Sequence, residues 1–226
     1  MLPTWFYPQD FVKSYFGVAG PSGFSSKTTA SDIAAAYGKD QSGRVAIVTG
    51  ASSGIGFETA AALASAGMTV IPTARTLPLS ESTIARLLER VPSGKFVPMS
   101  VELGSLASIR RFADTFSASG MPLHLLVNNA GVAYSPRGKT EDGFETQLGV
   151  NHVGHFHLTQ LLMPHLLKAA PSRVVNVSSL GQAALGYPDG MQWDDLAADK
   201  EYSSSMRYGQ SKLANLLHIK VRDQRW

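Results

Sequence analysis

Cysteine is absent from this chain of 226 residues, which excludes disulfide bonds and thiolate-bound zinc sites. Long apolar runs are also absent, since no stretch approaches the roughly 20 residues that a membrane-spanning helix needs. The twenty Lys and Arg residues are scattered among seventeen Asp and Glu residues, without the basic run that is typical of nucleic-acid-binding proteins. We therefore expect a cytoplasmic protein that neither spans a membrane nor binds nucleic acid.

Apolar residues make up 44% of the chain, enough to bury a sizeable core in what is most simply one domain. The N-terminal end differs from the rest because it is aromatic: Trp5, Phe6, Tyr7, Phe11, Tyr15 and Phe16. We expect residues 1–40 to form an arm and linker ahead of a domain over residues 41–226. Aromatic side chains are normally buried, which favours an arm packed on the domain over peripheral contact with a membrane or a partner.

Apolar runs of strand length alternate with helical patterns along the domain. The predicted strands are residues 45–48, 68–73, 96–101, 123–127 and 173–177. The predicted helices are residues 57–66, 80–91, 105–118 capped by Ser105, about 141–169 with a bend at Pro164, and about 203 to the end. A short helix before the first strand would be capped by Ser31 or Asp32. This alternation predicts an α/β fold with right-handed βαβ units and a doubly wound parallel sheet of Rossmann type.

The stretch Thr49-Gly50-Ala51-Ser52-Ser53-Gly54-Ile55-Gly56 joins the first strand to the next helix. A glycine-rich turn at a helix N-terminus binds anions through unpaired N–H groups and the helix dipole. Gly50 would permit the tight turn, Gly54 the approach of a pyrophosphate, and Gly56 the close packing of helix on strand. Glycine clusters also occur in ordinary loops, but the strand before this one and the helix after it favour a dinucleotide site.

Tyr208 and Lys212 lie four residues apart in a helical stretch, so their side chains share one face. A phenol has a pKa of about 10 and is a poor acid–base group at neutral pH, but a nearby ammonium favours the phenolate. A Tyr and a Lys at this spacing are weak evidence for an active site on their own, because most such pairs lie on the protein surface. Ser179 strengthens it by standing at the end of the fifth strand, where active sites of doubly wound sheets lie. Ser178 is adjacent, and only one of the two serines should face the site, because side chains alternate along a strand.

Two further polar positions accompany this pair. The segment Asn128-Asn129-Ala130-Gly131 ends the fourth strand, where Asn side chains can hold the strand end open beside a cofactor. Asn151 lies within a helical stretch although Asn is a poor helix former, and we interpret it as a water-holding residue rather than a satisfied helix residue. His152, His155 and His157 lie nearby, but no carboxylate completes a ligand set and we expect no metal.

Together these elements resemble the short-chain dehydrogenase/reductase family over residues 44–216. The elements stand in the family's order: Thr49–Gly56, Asn128–Gly131, Asn151, Ser179, and Tyr208 with Lys212. The segments Gly23–Ser26, Val150–Phe156 and Tyr208–Asn215 look like the branch of retinol dehydrogenases and the WW-domain oxidoreductase. The resemblance implies an oxidoreductase that interconverts a secondary alcohol, or an aldehyde/alcohol pair, with its carbonyl by hydride transfer from NADP. The substrate would be a small apolar molecule, and the family leaves room for a homodimer.

The resemblance also implies roles for individual residues. Tyr208 would be the acid–base group, Lys212 would assist it and hold the ribose, Ser179 would polarise the carbonyl, and Asn151 would anchor a proton-relay water. The implied cofactor contacts are Gly50, Ser52, Ser53, Gly54, Ile55, Gly56, Arg75, Glu102, Leu103, Asn128, Ala130, Gly131, Tyr208 and Lys212. Arg75 also favours NADP on its own chemistry, since it can attract a 2′-phosphate where an NAD enzyme carries an acid.

Two departures from the family pattern qualify this prediction. Glu102 stands where relatives usually have Asp, which leaves the adenine contact open. The helix that carries Tyr208 runs to the end of the sequence, so we expect the family's later strands to be missing, the fifth strand to be a sheet edge and the chain to be weakly active or inactive. The alternatives are a truncated, non-catalytic dinucleotide-binding or regulatory protein and a membrane-associated interaction module built on the aromatic arm.

Overall fold

The computed structural model describes residues 17–19, 22–38 and 40–223, with side chains as far as residue 219. The predicted aromatic arm therefore lies outside the described residues, apart from 17–19. No helix in the described part of the chain is long and apolar enough to cross a membrane.

One parallel sheet forms the centre of the molecule, and its strand order is β3-β2-β1-β4-β5. The strands are β1 (Val45–Val48), β2 (Thr69–Pro72), β3 (Lys95–Phe96), β4 (Leu125–Asn128) and β5 (Arg173–Asn176). All four strand pairs are parallel, so the carboxyl ends of the strands meet at one edge. The order reverses between β1 and β4, which is where doubly wound sheets bind their ligands. The predicted Rossmann-type α/β fold is confirmed.

Helices cover both faces of this sheet. They are α1 (Ala30–Tyr37), α2 (Gly54–Ser65), α3 (Leu77–Arg90), α4 (Leu106–Ala118), α5 (Thr146–Leu148), α6 (Gly154–Lys168), α7 (Gly181–Ala184) and α8 (Ser204–Asp223). A π-helical turn, Gly149–Val153, joins α5 to α6. Helices α1 and α2 are in contact, so packed structure begins before residue 41. The division at residue 40 stays a prediction.

The two cores on either side of the sheet follow from strand alternation. Val45 and Ile47 face one core, which α4 and α6 complete, whereas Ala46 and Val48 face the other, beneath α2 and α3. The central strand β1 is thus apolar at every position because both of its faces are buried.

The third strand is shorter than the predicted 96–101 and begins one residue earlier. Along this segment the odd-numbered residues direct their N–H groups at β2, since Val97 N donates to Val70 O at 3.0 Å. The next bonds would join Val97 and Met99 to Pro72 of β2, but Pro72 has no N–H to donate, and Met99 N donates to Ser80 Oγ at 3.3 Å instead. The ladder with β2 is therefore interrupted at Pro72. Pairing resumes at an isolated bridge between Ala74 and Ser100, and Val101 N donates to Ala74 O at 2.9 Å. The carboxyl edge therefore still extends as far as Glu102.

Four helix starts differ from the prediction, and the first is that of α2, which is predicted from Phe57 and begins at Gly54. Thr29, rather than Ser31 or Asp32, caps α1, and Asp32 completes a capping box with it. The helix predicted from Ser80 begins at Leu77, and Ser80 is buried with its hydroxyl on Pro72 O at 2.9 Å. The long helix predicted from about 141 begins at Thr146, with the carboxylate of Glu145 accepting from the first N–H groups. Ser105 caps α4 as predicted, through Ser108 N at 3.3 Å.

A core substitution tests this arrangement. Leu126 lies fully buried in the middle of β4, and shortening it to Ala should cost about 2–5 kcal/mol of unfolding free energy through lost burial and a residual cavity. Leu167, which is 52% exposed on α6, provides the matched control, and Leu167→Ala should cost less than about 1 kcal/mol. Urea unfolding followed by circular dichroism measures both. Equal losses for the two variants would contradict the placement of β4.

Candidate active site

The glycine turn after β1 lies against the end of β4. Gly50 has a φ of 65°, and a Cβ there would lie 2.8 Å from Ala130 Cα. A Cβ on Gly56 would lie 2.4 Å from Gly50 O, so only glycine lets α2 start this close to the turn. Ser53 precedes α2 and its side chain makes no capping hydrogen bond within the described structure. The first N–H groups of α2 are thus left for an anion, which fits a pyrophosphate.

A groove of about 650 Å³ crosses the carboxyl edge above this turn. The predicted cofactor residues that line it are Gly50, Ser52, Ser53, Ile55, Gly56, Arg75, Glu102, Leu103, Ala130 and Gly131. Other lining residues carried no sequence signal of their own, among them Leu79, Lys139, Thr140 and Val150. The groove runs from Arg75 and Glu102 at one end to Gly131 and Val132 at the other.

Gly54, also among the predicted cofactor contacts, does not line this groove, and neither does Asn128. The amide nitrogen of Asn128 donates to Thr159 Oγ1 at 3.0 Å and to Asn176 Oδ1 at 2.7 Å, so its side chain links β4 to α6 and β5. Asn129 instead lines the groove, and its amide donates to Thr49 O at 2.8 Å. The alternation of side chains explains the difference, since only one of two neighbouring residues can face the cofactor side.

Two charged groups define the far end of the groove. Arg75 is exposed there, directly after β2. Glu102 accepts from Gly104 N at 3.0 Å, so its carboxylate shapes its own loop. Arg86 of α3, which the sequence did not single out, donates to Ser52 O at 2.9 Å and lies 4.7 Å from the centre of the Phe57 ring. It holds the glycine turn from outside.

Ser179 and Tyr208 lie on the same side of Gly181. A Cβ on Gly181 would lie 3.1 Å from Tyr208 Cε1 and 3.4 Å from Ser179 Oγ. Ser178 faces the other way and donates to Lys212 O at 2.8 Å. The two serines therefore have different surroundings, and the role implied for Ser179 stays a prediction.

Lys212 joins this pair to the groove. Its Nζ lies 5.8 Å from the centre of the Tyr208 ring and donates to Val177 O at 3.2 Å. Burial lowers the pKa of this ammonium below its usual range. A Cβ on Gly131 would lie 3.5 Å from Lys212 Nζ and 3.2 Å from Asn151 Oδ1. The groove thus ends at the side chains of Lys212 and Asn151, although neither Tyr208 nor Lys212 lines it.

Asn151 lies in the π-helical turn, fully buried. Its side chain exchanges two hydrogen bonds with the backbone of Val132, at 2.8 Å and 2.9 Å, and donates to Ser211 Oγ at 2.9 Å. This side chain therefore ties the groove wall to α8. The water proposed for Asn151 stays a prediction.

The three nearby histidines have separate environments. His155 is buried, and its ring nitrogens contact Thr49 Oγ1 at 2.8 Å and Asn151 O at 3.0 Å. His152 Nδ1 lies 3.1 Å from Asn215 Oδ1, and His157 is half-buried elsewhere on α6. Within the described residues, no group of His, Asp or Glu side chains could hold a metal ion.

A buried ion pair beside Tyr208 was not visible in the sequence. Arg207 is 1% exposed and donates to the Asp195 carboxylate, to Asp195 O at 2.7 Å and to Glu201 O at 2.9 Å. These bonds fasten the irregular segment after α7 to the start of α8. Asp195 lies twelve residues earlier in an irregular segment, where no periodicity could predict the contact.

The fold and the groove define a dinucleotide-binding protein of Rossmann type with a Ser, Tyr and Lys cluster at the end of its groove. Residues 44–189 match the short chain dehydrogenase family, to which this chain belongs. Families of this kind are oxidoreductases that bind nicotinamide dinucleotides. The predicted branch is confirmed as well, since the similar curated proteins include retinol dehydrogenases and the WW domain-containing oxidoreductase.

Three relatives illustrate the similarity. Short-chain dehydrogenase TIC 32 B, chloroplastic, from Brassica napus is 39% identical over 89% of this chain and 64% of its own length. Human retinol dehydrogenase 12 is 45% identical over 77% of this chain and 54% of its own length. Human WW domain-containing oxidoreductase is 39% identical over 86% of this chain and 47% of its own length. The chain spans about half to two thirds of the length of these relatives.

Solved structures agree with this assignment. A crystal structure of an uncharacterized protein from Mycobacterium paratuberculosis is 37% identical, with a TM-score of 0.72 over 88% of this chain and 66% of that one. The RhlG/NADP active-site complex from Pseudomonas aeruginosa is 29% identical, with a TM-score of 0.61 over 82% of this chain and 66% of that one.

The burial of His155 has a consequence for stability. Burial lowers its pKa to about 4, and Lys212, His152 and His218 face it and oppose its charge further. An unfolded chain takes up this proton near pH 6.5, while the folded chain resists it down to about pH 4. Stability should therefore be unchanged by this group above pH 7 and fall between pH 6.5 and 4, by on the order of 3 kcal/mol in total.

Urea unfolding at several pH values measures this effect. The decline in the free energy of unfolding between pH 6.5 and 4 should be shallower in His155→Gln than in the unmodified chain. His157→Gln is the control on the same helix, and its decline should be almost as steep as that of the unmodified chain. An unaltered slope in His155→Gln would show that His155 does not carry the effect.

Proposed function

We propose that this chain is an NADP-dependent oxidoreductase that interconverts a secondary alcohol, or an aldehyde/alcohol pair, with the corresponding carbonyl compound. One observation carries the proposal: the dinucleotide groove ends at Gly131, against Asn151 and against Lys212, which lies one helical turn from Tyr208 on α8. A cofactor that follows the groove from the start of α2 would place its reactive ring beside the acid–base group.

The residues fit this cofactor. The first turn of α2 supplies N–H groups for the pyrophosphate, and there is open space beside Gly54, where a Cβ would meet no atom within 4 Å. Lys212 would hold the ribose near Gly131. The nicotinamide, when bound, supplies or accepts the hydride.

The chain's own residues would supply proton transfer and position. The Ser179 hydroxyl can donate to the substrate oxygen while the hydroxyl of Tyr208, whose ring lies beside the same glycine, Gly181, delivers the proton. The Lys212 ammonium favours the phenolate that remains, because it lies near the ring and is shielded from water. Asn151 keeps the groove wall and α8 at a fixed distance through Val132 and Ser211.

An apolar substrate is the favoured class. The exposed ring of Tyr134 lies 5.5 Å from that of Tyr208, and Leu180 beside Ser179 is also exposed. These side chains offer an apolar surface next to the reacting groups. The names of the retinol dehydrogenase relatives fit the same class of alcohol. A cytoplasmic location and a homodimer remain predictions.

Removing the Tyr208 hydroxyl tests the acid–base role. Tyr208→Phe should lower turnover of an apolar aldehyde such as decanal by roughly 10²–10⁴-fold, because general acid–base help is lost. Its NADPH affinity should change little, because the ring and Lys212 remain. Absorbance of NADPH measures turnover, and its fluorescence measures binding.

Tyr37 on α1 is a matched control, since it is exposed and packs against Phe24 far from the groove. Tyr37→Phe should keep full turnover. Comparable turnover in Tyr208→Phe would refute the assignment. An unmodified chain that binds NADPH but turns over no carbonyl would instead support the non-catalytic alternative.

Cofactor preference depends on Arg75. Its guanidinium lines the far end of the groove, where a 2′-phosphate on the adenine ribose would lie. The NADP bound in the RhlG complex supports the same choice. We expect tighter binding of NADPH than of NADH, with Arg75→Ala narrowing the gap by about 10–100-fold through the lost charge-assisted contact.

Arg110, exposed on α4, serves as the control, and Arg110→Ala should leave the ratio of the two affinities unchanged. Fluorescence titration with each cofactor gives the ratio. Equal affinities of the unmodified chain for NADPH and NADH would refute the preference.

A further inference from the structure

We propose that His155 is a positioning residue that holds the glycine turn and the π-helical turn of Asn151 in a fixed relation, through a neutral imidazole with its proton on Nδ1. Its consequence for the reaction rests on the proposed function, but the hydrogen-bond arrangement itself does not.

The tautomer follows from the partner on Nδ1. This nitrogen lies 3.0 Å from Asn151 O, and a backbone carbonyl can only accept, so Nδ1 must carry a proton. In a neutral ring Nε2 is then an acceptor. It faces Thr49 Oγ1 at 2.8 Å, and the hydroxyl must donate to it.

The other contacts of Thr49 support this direction. Its hydroxyl oxygen receives hydrogen bonds from Asn129 N at 2.9 Å and from Ala130 N at 3.0 Å, which occupy both lone pairs. Its one proton can go to His155 Nε2 or to Val127 O, which lies farther away at 3.3 Å. An imidazolium would direct a second N–H at this occupied oxygen, so the neutral ring is the form that fits.

The resulting chain of bonds joins elements that are far apart in sequence. It runs from the Ala130 amide at the end of β4, through the Thr49 hydroxyl of the glycine turn, to the imidazole on α6 and the carbonyl of Asn151. Asn151 then reaches Val132 and Ser211 through its side chain. The cofactor side and the proton-transfer side of the groove are thus coupled by one ring.

His155 acts through other residues and not on the substrate. It is 2% exposed, and its two ring nitrogens are taken up by Thr49 Oγ1 and Asn151 O, so neither is left for a substrate or cofactor atom. The charged or titratable groups that face His155 in the described part of the chain are Lys212, His152 and His218, none of them acidic, which fits a fixed neutral group better than one that exchanges protons during turnover.

The tautomer is measured on the unmodified chain by long-range ¹H–¹⁵N correlation of its histidine rings at pH 7. The His155 ring, assigned through its contacts with Thr49, should show a protonated Nδ1 and an unprotonated Nε2. A proton on Nε2, or on both nitrogens, would overturn the proposal.

The positioning role is measured by amide exchange. His155→Leu should speed exchange of the Ala130 amide about tenfold or more, since the Thr49 hydroxyl loses the acceptor that orients it. The Leu126 amide within β4 should keep its rate, and His157→Leu should alter neither. If Ala130 and Leu126 change together, or if neither changes, the role is refuted.

Should His155→Leu fail to fold, Thr49→Val and Thr49→Ser provide the same comparison. The valine variant lacks the hydroxyl and should expose the Ala130 amide, whereas the serine variant should keep its protection. Both should retain a folded His155 signal. A valine variant with full protection would overturn the proposal.

These outcomes separate the inference from the proposed function. A chain with the expected tautomer and local exchange, but without carbonyl turnover, would support the inference and refute the oxidoreductase. Carbonyl turnover in a chain with the His155 proton on Nε2 would support the oxidoreductase and refute the inference.

Discussion

The close approach of the glycine turn to the end of β4 is the constraint on which the site depends. Gly50 lies against the backbone of Ala130, and the Thr49 hydroxyl accepts from two amides of the same strand end. A larger residue at Gly50 would separate β1 from β4 at the point where the strand order reverses. The crevice for the cofactor opens at that point because the turn is held so tightly.

The second half of the site is built on this frame from elements that lie far from it in the sequence. Asn151 and His155 come from the π-helical turn and α6, Ser179 follows β5, and Tyr208 with Lys212 lies on α8. Buried hydrogen bonds, rather than exposed ion pairs, connect these elements. Such networks are costly to leave incomplete, which fixes the geometry of the reacting groups.

The parts of the fold and the site that the sequence predicts are those formed by residues close together along the chain. The glycine turn and the Tyr208–Lys212 pair are local patterns, so their sequence spacing fixes their geometry. The fold followed from the alternation of strands and helices. The choice between Asn128 and Asn129, the bond from Arg207 to Asp195 and the position of His155 depend on tertiary contacts, which spacing does not encode. The short third strand reflects its neighbour β2, where Pro72 lacks an N–H and the Ser80 hydroxyl takes the bond from Met99 N, which the apolar pattern of the third strand alone does not reveal.

A crystal structure of the chain grown with NADP⁺ would test the central claim, that the groove and the Tyr208 cluster form one active site. The account predicts the pyrophosphate at the first turn of α2, the 2′-phosphate beside Arg75, and the nicotinamide at Gly131 in contact with Tyr208 and Lys212. A cofactor bound elsewhere, or a nicotinamide that points away from Tyr208, would contradict it.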